Sequence, residues 1–250
     1  MTISVVGDTN VGKKRTNNED SYYIAKLEQG AIFLVADGVG GNSYGEVASA
    51  TAVEVIDGLV KSGKLNALSQ ITMTTMMLTM AVQKAHVTIA NKAQDNAEYD
   101  GMSSTLTLAY VNGNKLWVAQ VGDSRLYRHS DSGLAQLTKD QTIAEALLNA
   151  GRISKSQALV HPDRNTLSQS LGLEAVGKPL ETVVTEHDWL AGDSLIACSD
   201  GLTDMVSDAD IEAIMLRDDA LEQKLRMLIN AALDGGGKDN ITVVLAVNSG

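Results

Sequence analysis

Four aspartates, each in or beside a glycine-containing turn at the end of an apolar run, are the residues of this chain best placed to do chemistry. They are Asp37 in AIFLVADGVGG, Asp123 in LWVAQVGDSRLY, Asp200 in DSLIACSDGLTD and Asp239 in GGGKDNITVVLAV. A strand that stops at Asp-Gly or Gly-Asp delivers a carboxylate to the rim of a sheet, because glycine lets the backbone turn sharply there. Four such rims brought together make an all-oxygen pocket of high negative charge. Hard divalent cations of the Mg or Mn type prefer that donor set. Any one Asp-Gly alone is an ordinary turn dipeptide. The four together, each behind a strand-like run, point to a metal site.

The elements that must position them are legible as hydrophobic patterns. Apolar or alternating runs predict strands at about 2–8, 20–27, 31–36, 104–111, 115–121, 124–129, 181–185, 194–199 and 241–247. Short turns such as LEQG at 27–30 and VNGNK at 111–115 predict antiparallel hairpins. Helical periodicity covers 45–61, 72–94, 142–150, 208–216 and 219–234, with Ser207 as the expected cap of the 208–216 helix and an acidic first turn behind it. Met73, Met76, Met77 and Met80 fall at helical spacing and are expected to pack in a core. Helices covering an antiparallel double sheet satisfy this order, so the fold class is α+β, a four-layer α-β-β-α sandwich. The segment at about 139–180 has short helical pieces and few long apolar runs, and is expected to be an excursion from the sheets, a flap. With no linker or repeat, 1–250 is expected to form one domain.

Composition narrows the function. A net charge of -11 and no basic stripe along the chain argue against nucleic acid as a partner. The apolar runs are too short to span a membrane, and no signal-type segment opens the chain, so a cytoplasmic location is expected. Cys198, the single cysteine, rules out an internal disulfide and sits in a strand-like run as a small buried hydrophobe. GDTNVGKK at 7–14 nearly spells a phosphate-binding loop, but Lys14 stands where a Ser or Thr hydroxyl is needed and no helix pattern follows. A polar turn is expected there instead.

Beside the four aspartates stands RTNNED at 15–20, one guanidinium and two carboxylates within six residues. RTNNEDS, VADGVGG, GDSRLY, SDGLTD and GKDNIT, in this order and at these separations, resemble the metal-dependent serine/threonine protein phosphatases of the type-2C family, bacterial type. The resemblance runs from about residue 3 to 247, and AEALLNAGRIS with HPDRNTLSQSLG is similar to the flap of bacterial members. It implies two stacked antiparallel sheets with helices outside and a two-metal centre, Mn or Mg, at one edge. In that centre Asp37 would bridge both metals, the Gly38 carbonyl would ligate one, and Asp200 and Asp239 would complete the pair. Glu19 and Asp20 would orient metal-bound waters, and Arg15 would grip the substrate phosphate. Asp123, with Asp200, resembles the ligands of a weaker third metal.

The implied activity is hydrolysis of phosphoserine and phosphothreonine in proteins by a metal-bridged water. Two cations about 3.5–4 Å apart acidify that water and clamp the displacement, and a planar guanidinium suits the remaining phosphate oxygens. The implied partners are phosphorylated proteins, including a Ser/Thr kinase and its substrates, and a monomer is expected. Val39 occupies the position after the first Asp-Gly where many eukaryotic members carry a histidine, and none of the four histidines lies in these motifs. Leaving-group protonation must therefore come from elsewhere. A hydrolase of another phosphate ester, and an inactive phosphoprotein-binding regulator, are the alternatives. An acid at every ligand position the family expects weighs against the inactive one.

Overall fold

The computed structural model describes residues 2–40, 44–65, 71–173 and 180–250. Eleven strands among the described residues form two antiparallel sheets. The first takes β1 (Ile3–Asn10), β11 (Ile241–Asn248), β10 (Ser194–Cys198), β7 (Arg125–Ser130) and β8 (Gly133–Gln136), in that spatial order. The second takes β2 (Asp20–Leu27), β3 (Gly30–Val39), β5 (Leu106–Asn112), β6 (Lys115–Val121) and β9 (Val183–Asp188), with the two-residue β4 (Ser103–Ser104) pairing β3. Helices α1 (Gly45–Lys61) and α2 (Ile71–Asp95) cover the second sheet. A short α5 (Asp200–Thr203), α6 (Asp208–Met215) and α7 (Leu221–Asp234) cover the first. Helices α3 (Ile143–Asn149) and α4 (Lys155–Ala158) belong to the excursion.

The period-two alternation of a strand explains how one short run serves two cores. On β3, Ala31, Phe33 and Val35 face the other sheet and meet Leu126, Leu195, Ala197, Val244 and Ala246. Ile32, Leu34 and Ala36 face outward against α1 and α2. On β11, Val244 and Ala246 point inward while Ile241, Val243 and Leu245 pack under α6 and α7. Strands buried on both faces read as unbroken apolar runs, which is how they stood in the sequence. Cys198 is fully buried, and burial pushes its thiol up to about 12. Among the described residues no helix is long and apolar enough to cross a membrane.

Three expectations need correction. The methionine stripe is not core: Met73, Met76 and Met80 are 48%, 53% and 58% exposed, and only Met77 packs against the α1–α2 core. Thr74, Leu78, Ala81, Val82 and Ala85 supply the buried face instead, so small and β-branched residues let α2 lie close while the long side chains point out. The expected strand at 104–111 is interrupted at Thr105, leaving β4 and β5. Strand β8 and helix α5 were not foreseen, because four residues are too few to show a period. The expected flap is described to Leu173 and again from Leu180; residues 174–179, with Pro179, lie outside the described residues, as does Gly41 of VADGVGG.

Candidate metal centre

The hairpin arithmetic that builds the sheets also builds the site. A two-residue loop pairs Leu27 with Gly30, and counting back along both strands places Asp20 directly opposite Asp37. In the other sheet Cys198 pairs with Arg125, so two residues further on Asp200 comes level with Asp123. Both pairs of acids therefore lie at the same end of the sandwich. Asp239 joins them from the turn before β11, whose neighbour β1 ends at Asn10, opposite Ile241.

Hydroxyls and one amide fix these positions. The Asp37 amide donates to Thr105 Oγ1 at 2.9 Å rather than to a ladder carbonyl, and Thr105 Oγ1 meets Ser124 Oγ at 2.7 Å, linking the Asp37 turn to the Asp123 turn. Ser199 Oγ donates to Asp20 Oδ2 at 2.7 Å and accepts from the Thr242 amide at 3.0 Å. Asn240 is buried and holds three points of the connection between β1 and β2: it accepts from the Glu19 amide at 2.8 Å and donates to the carbonyls of Val11 at 3.0 Å and Asn17 at 2.9 Å. Thr105, Ser124, Ser199 and Asn240 were not among the expected site residues. The one visible cue was that each lies beside, or pairs across from, a rim acid. Gly38 is required by packing: a Cβ there would strike the Gly45 carbonyl, where α1 begins. The Glu19 carbonyl receives the Gly38 amide at 3.1 Å and the Ser49 hydroxyl at 2.6 Å, so Glu19 is wedged between β3 and α1.

Electrostatics show what the acids lack. Burial first, then repulsion from Asp20, Asp200, Asp123 and Asp239, holds the Asp37 carboxyl well above the usual range. Burial and then Asp123 and Asp239 do the same to Asp200. Burial raises Asp20 to about 6 against the pull of its Thr242 and Ser199 hydrogen bonds, and raises Asp123 to about 7 with help from Asp140. Glu19 is raised chiefly by burial, then by Glu46. Asp20 Oδ1 is buried with no hydrogen-bond partner among the described residues. These are carboxylates short of positive charge, and divalent cations fit that need. Among the described residues no three His, Cys, Asp or Glu side chains close on one point by themselves. An ion here would take water for part of its shell, which is the habit of Mg and Mn rather than of a closed structural zinc.

The only cation joined to these acids by a salt bridge among the described residues is Arg15. Its Nη2 donates to Asp239 Oδ2 at 2.8 Å with half of its side chain exposed. That hydrogen bond, opposed by partial burial, is the main reason its pKa is raised. Asp239 Oδ1 also accepts from the Asn240 amide at 2.8 Å, so the carboxylate is held from two sides. Of the near phosphate-binding loop, Gly7–Asn10 belong to β1 and the turn lies at 12–14, where Gly12 is required both by its left-handed φ of +80° and because a Cβ would collide with the Asp239 carbonyl.

The excursion overlooks the same rim. Arg125 forks onto Asp140 with contacts of 2.7 to 3.1 Å and donates to the Tyr127 hydroxyl at 2.9 Å, which in turn donates to Asp208 at 3.0 Å. This partly buried bidentate pair anchors the root of the excursion two residues from Asp123. Its far end returns through the Ser104–Leu171 bridge and the Gly172 amide, which donates to His86 Nδ1 at 3.0 Å. Between excursion and rim lies a cavity of about 340 Å³ lined by Asp123, Asp200, Asp204, Lys155, Leu159 and Arg164, among others. It is large enough to admit a phosphorylated side chain.

If the acids bind no cation, they tie stability to pH with a definite sign. A carboxyl whose folded pKa lies above its unfolded value holds more protons when folded, so stability is lost as pH rises from the unfolded value through the folded one. For Asp20 and Asp123 the window runs from 3.8 to about 6 and about 7. Scanning calorimetry in chelator should therefore give a lower Tm at pH 8 than at pH 5.5, and excess Mn should remove most of the difference. Repulsion across the acidic surface at large would instead leave the slope insensitive to Mn and unchanged in Asp123→Asn.

A twin antiparallel sandwich between helix layers, with converging aspartates at one rim, defines the class. The chain belongs to the protein phosphatase 2C family, whose family model matches residues 8–234. It is 37% identical over 239 residues to the serine/threonine protein phosphatase PstP of Mycobacterium tuberculosis, covering 94% of this chain but 43% of that protein, so this chain spans less than half its length. It is 36% identical to the serine/threonine phosphatase stp of Listeria innocua, covering 95% of this chain and 92% of that one. The fold superposes with a TM-score of 0.82 and 33% identity on the catalytic domain of PstP in complex with two manganese ions, over 98% of this chain and 97% of that chain.

Proposed function

We propose that this chain hydrolyses phosphoserine and phosphothreonine in proteins with the help of Mn or Mg, in the manner of the relatives it resembles. The observation that carries the reading is the placing of Arg15 against Asp239 on the rim where Asp20, Asp37, Asp123 and Asp200 converge. That rim offers a cationic fork for phosphate beside acids that lack counter-charge. In this reading Asp37 would serve both ions, the buried Gly38 would offer its carbonyl, and Asp200 and Asp239 would complete the pair. Asp123 and Asp200 would hold a weaker third ion.

When bound, the ions supply an acidified water and neutralise phosphoryl charge. The chain's own part is positional. Arg15 donates in parallel to the phosphate oxygens. Glu19 and Asp20 accept hydrogen bonds from water at the edge of the site, Asp20 through its unpartnered Oδ1. Asn240 keeps the Arg15 turn in register with Asp239. Val39 is 40% exposed beside Asp37 and offers no proton, so the leaving serine or threonine oxygen takes its proton from a bound water or from another group. Phosphorylated proteins, and through them a Ser/Thr kinase with opposing activity, are the proposed partners.

The test is a comparison of substrates in saturating Mn. A phosphothreonine peptide should be hydrolysed with kcat/KM at least about tenfold above that of a nucleoside triphosphate or a sugar phosphate. The reverse order would assign the site to another phosphate ester. Binding of the peptide without turnover would make the chain a regulator.

A further inference from the structure

Two short segments from opposite ends of the chain meet beside Asp239 and give that side of the site a cationic border. The turn after β1 carries Lys13, Lys14 and Arg15, and the loop before β11 carries Lys238. Their backbones are locked together. The Lys13 amide donates to the Gly237 carbonyl at 2.7 Å, Gly12 lies against the Asp239 carbonyl, and Asn240 holds Val11 and Asn17. Lys14 precedes Arg15 and Lys238 precedes Asp239, while Arg15 and Asp239 touch at 2.8 Å. The two lysines are thus the chain neighbours of the contacting pair, one on each segment.

All three lysines are exposed. Lys13 has one loose contact, 3.9 Å to Asp234. Lys14 and Lys238 form no salt bridge among the described residues. Isolated surface lysines need no explanation, but in a chain of net charge -11 this grouping runs against the bulk composition. On the flap side Lys155 and Arg164 share the cavity with Asp140, Glu145 and Asp204; on the border the acids are Asp234, against Lys13, and Asp239, against Arg15, which leaves Lys14 and Lys238 without a salt bridge among the described residues.

We propose that this border is a subsite for a second anionic group on the substrate, an acidic or phosphorylated side chain two or three residues from the phosphothreonine under attack. The proposal rests on the protein-phosphatase reading above. An extended peptide advances about 3.3–3.6 Å per residue, so two or three residues carry the second anion roughly 7–10 Å from Arg15. That distance is within reach of lysines next in the chain to Arg15 and Asp239. Exposed ion pairs are individually weak and screened by salt. Selectivity should therefore be about tenfold at low ionic strength, built from several lysines, and should fade in salt.

The test uses matched phosphothreonine peptides carrying either alanine or a second anion, aspartate or phosphoserine, two or three residues away, with p-nitrophenyl phosphate as a substrate that has no flank. Wild type should favour the anionic peptide about tenfold in kcat/KM at low salt and about twofold or less at 0.5 M. Lys14→Ala with Lys238→Ala should abolish most of the preference, and Lys14→Glu with Lys238→Glu should invert it, while p-nitrophenyl phosphate turnover stays within about twofold. Equal rates on the two peptides in wild type, or a preference that survives both double variants, would overturn the subsite. Turnover of p-nitrophenyl phosphate with none of either peptide would instead overturn the protein-phosphatase reading on which it stands.

Discussion

Asp37→Asn is expected to lower kcat/KM on a phosphothreonine peptide by about 10³-fold or more, about 4 kcal/mol of transition-state stabilisation, while raising the melting temperature of the metal-free protein. Both signs come from one cause. The Asp37 carboxyl lies among four other aspartates, and burial with their repulsion already holds its pKa far up. In the metal-free fold that carboxyl must take up a proton it lacks when unfolded, a cost that asparagine, neutral at any pH, does not carry; its amide has nearly the same shape and can donate to Asp20. The same change strips the negative donor placed most centrally among the site's acids. Loss of a group one step removed from a metal costs about 10–100-fold, so loss of a carboxylate in the proposed position between two ions should cost more. Isothermal titration with Mn and calorimetry in chelator check the two halves. Unchanged Mn binding would mean that Asp37 is not a ligand, and a lower Tm without metal would make it a structural residue.

The opposite signs bear on what the sequence disclosed. Four acids of the rim, Asp37, Asp123, Asp200 and Asp239, were visible beside turns at the ends of apolar runs, whereas Glu19 and Asp20 stood out only through RTNNED and the resemblance it carries. Once Leu27 and Gly30 are joined by two residues, the pairing of Asp20 with Asp37 follows by counting. Both long helices were readable in extent, α1 to the residue. The face that α2 presents was not: hydrophobicity alone favoured the methionines, whereas close approach to α1 selected alanine, threonine and valine. The break at Thr105 was equally hidden. Its hydroxyl replaces a ladder acceptor for the Asp37 amide, a substitution that periodicity does not register. Asn240 looked like a turn residue, and only the return of the 11–19 segment from the other end of the chain gives its amide three partners. Strand-end chemistry is thus local and legible, while the hydroxyls and amide that hold the rims together act between distant segments.

Arg15→Ala should cost about 10²–10³-fold in kcat/KM, the scale of removing one oriented donor from a developing oxyanion, and Arg15→Lys should recover only part of it. Two roles compete for this guanidinium. As a partner of Asp239 it makes one contact at 2.8 Å on an exposed surface, and such pairs contribute at most about 1 kcal/mol to stability. As a phosphate ligand it would contribute several times more, and only in the presence of substrate. Stability and kinetics therefore separate the roles. The structural role predicts a Tm lowered by a few degrees, with normal kinetics per folded molecule in both variants. The phosphate role predicts a nearly unchanged Tm, Mn affinity equal or slightly higher because Asp239 loses a competitor, and a raised KM for peptide together with a raised inhibition constant for inorganic phosphate. Lysine keeps the charge but not the planar fork, so Arg15→Lys should restore metal-site behaviour fully and phosphate affinity incompletely. Phosphate inhibition identical in wild type, Arg15→Lys and Arg15→Ala would remove Arg15 from the substrate site.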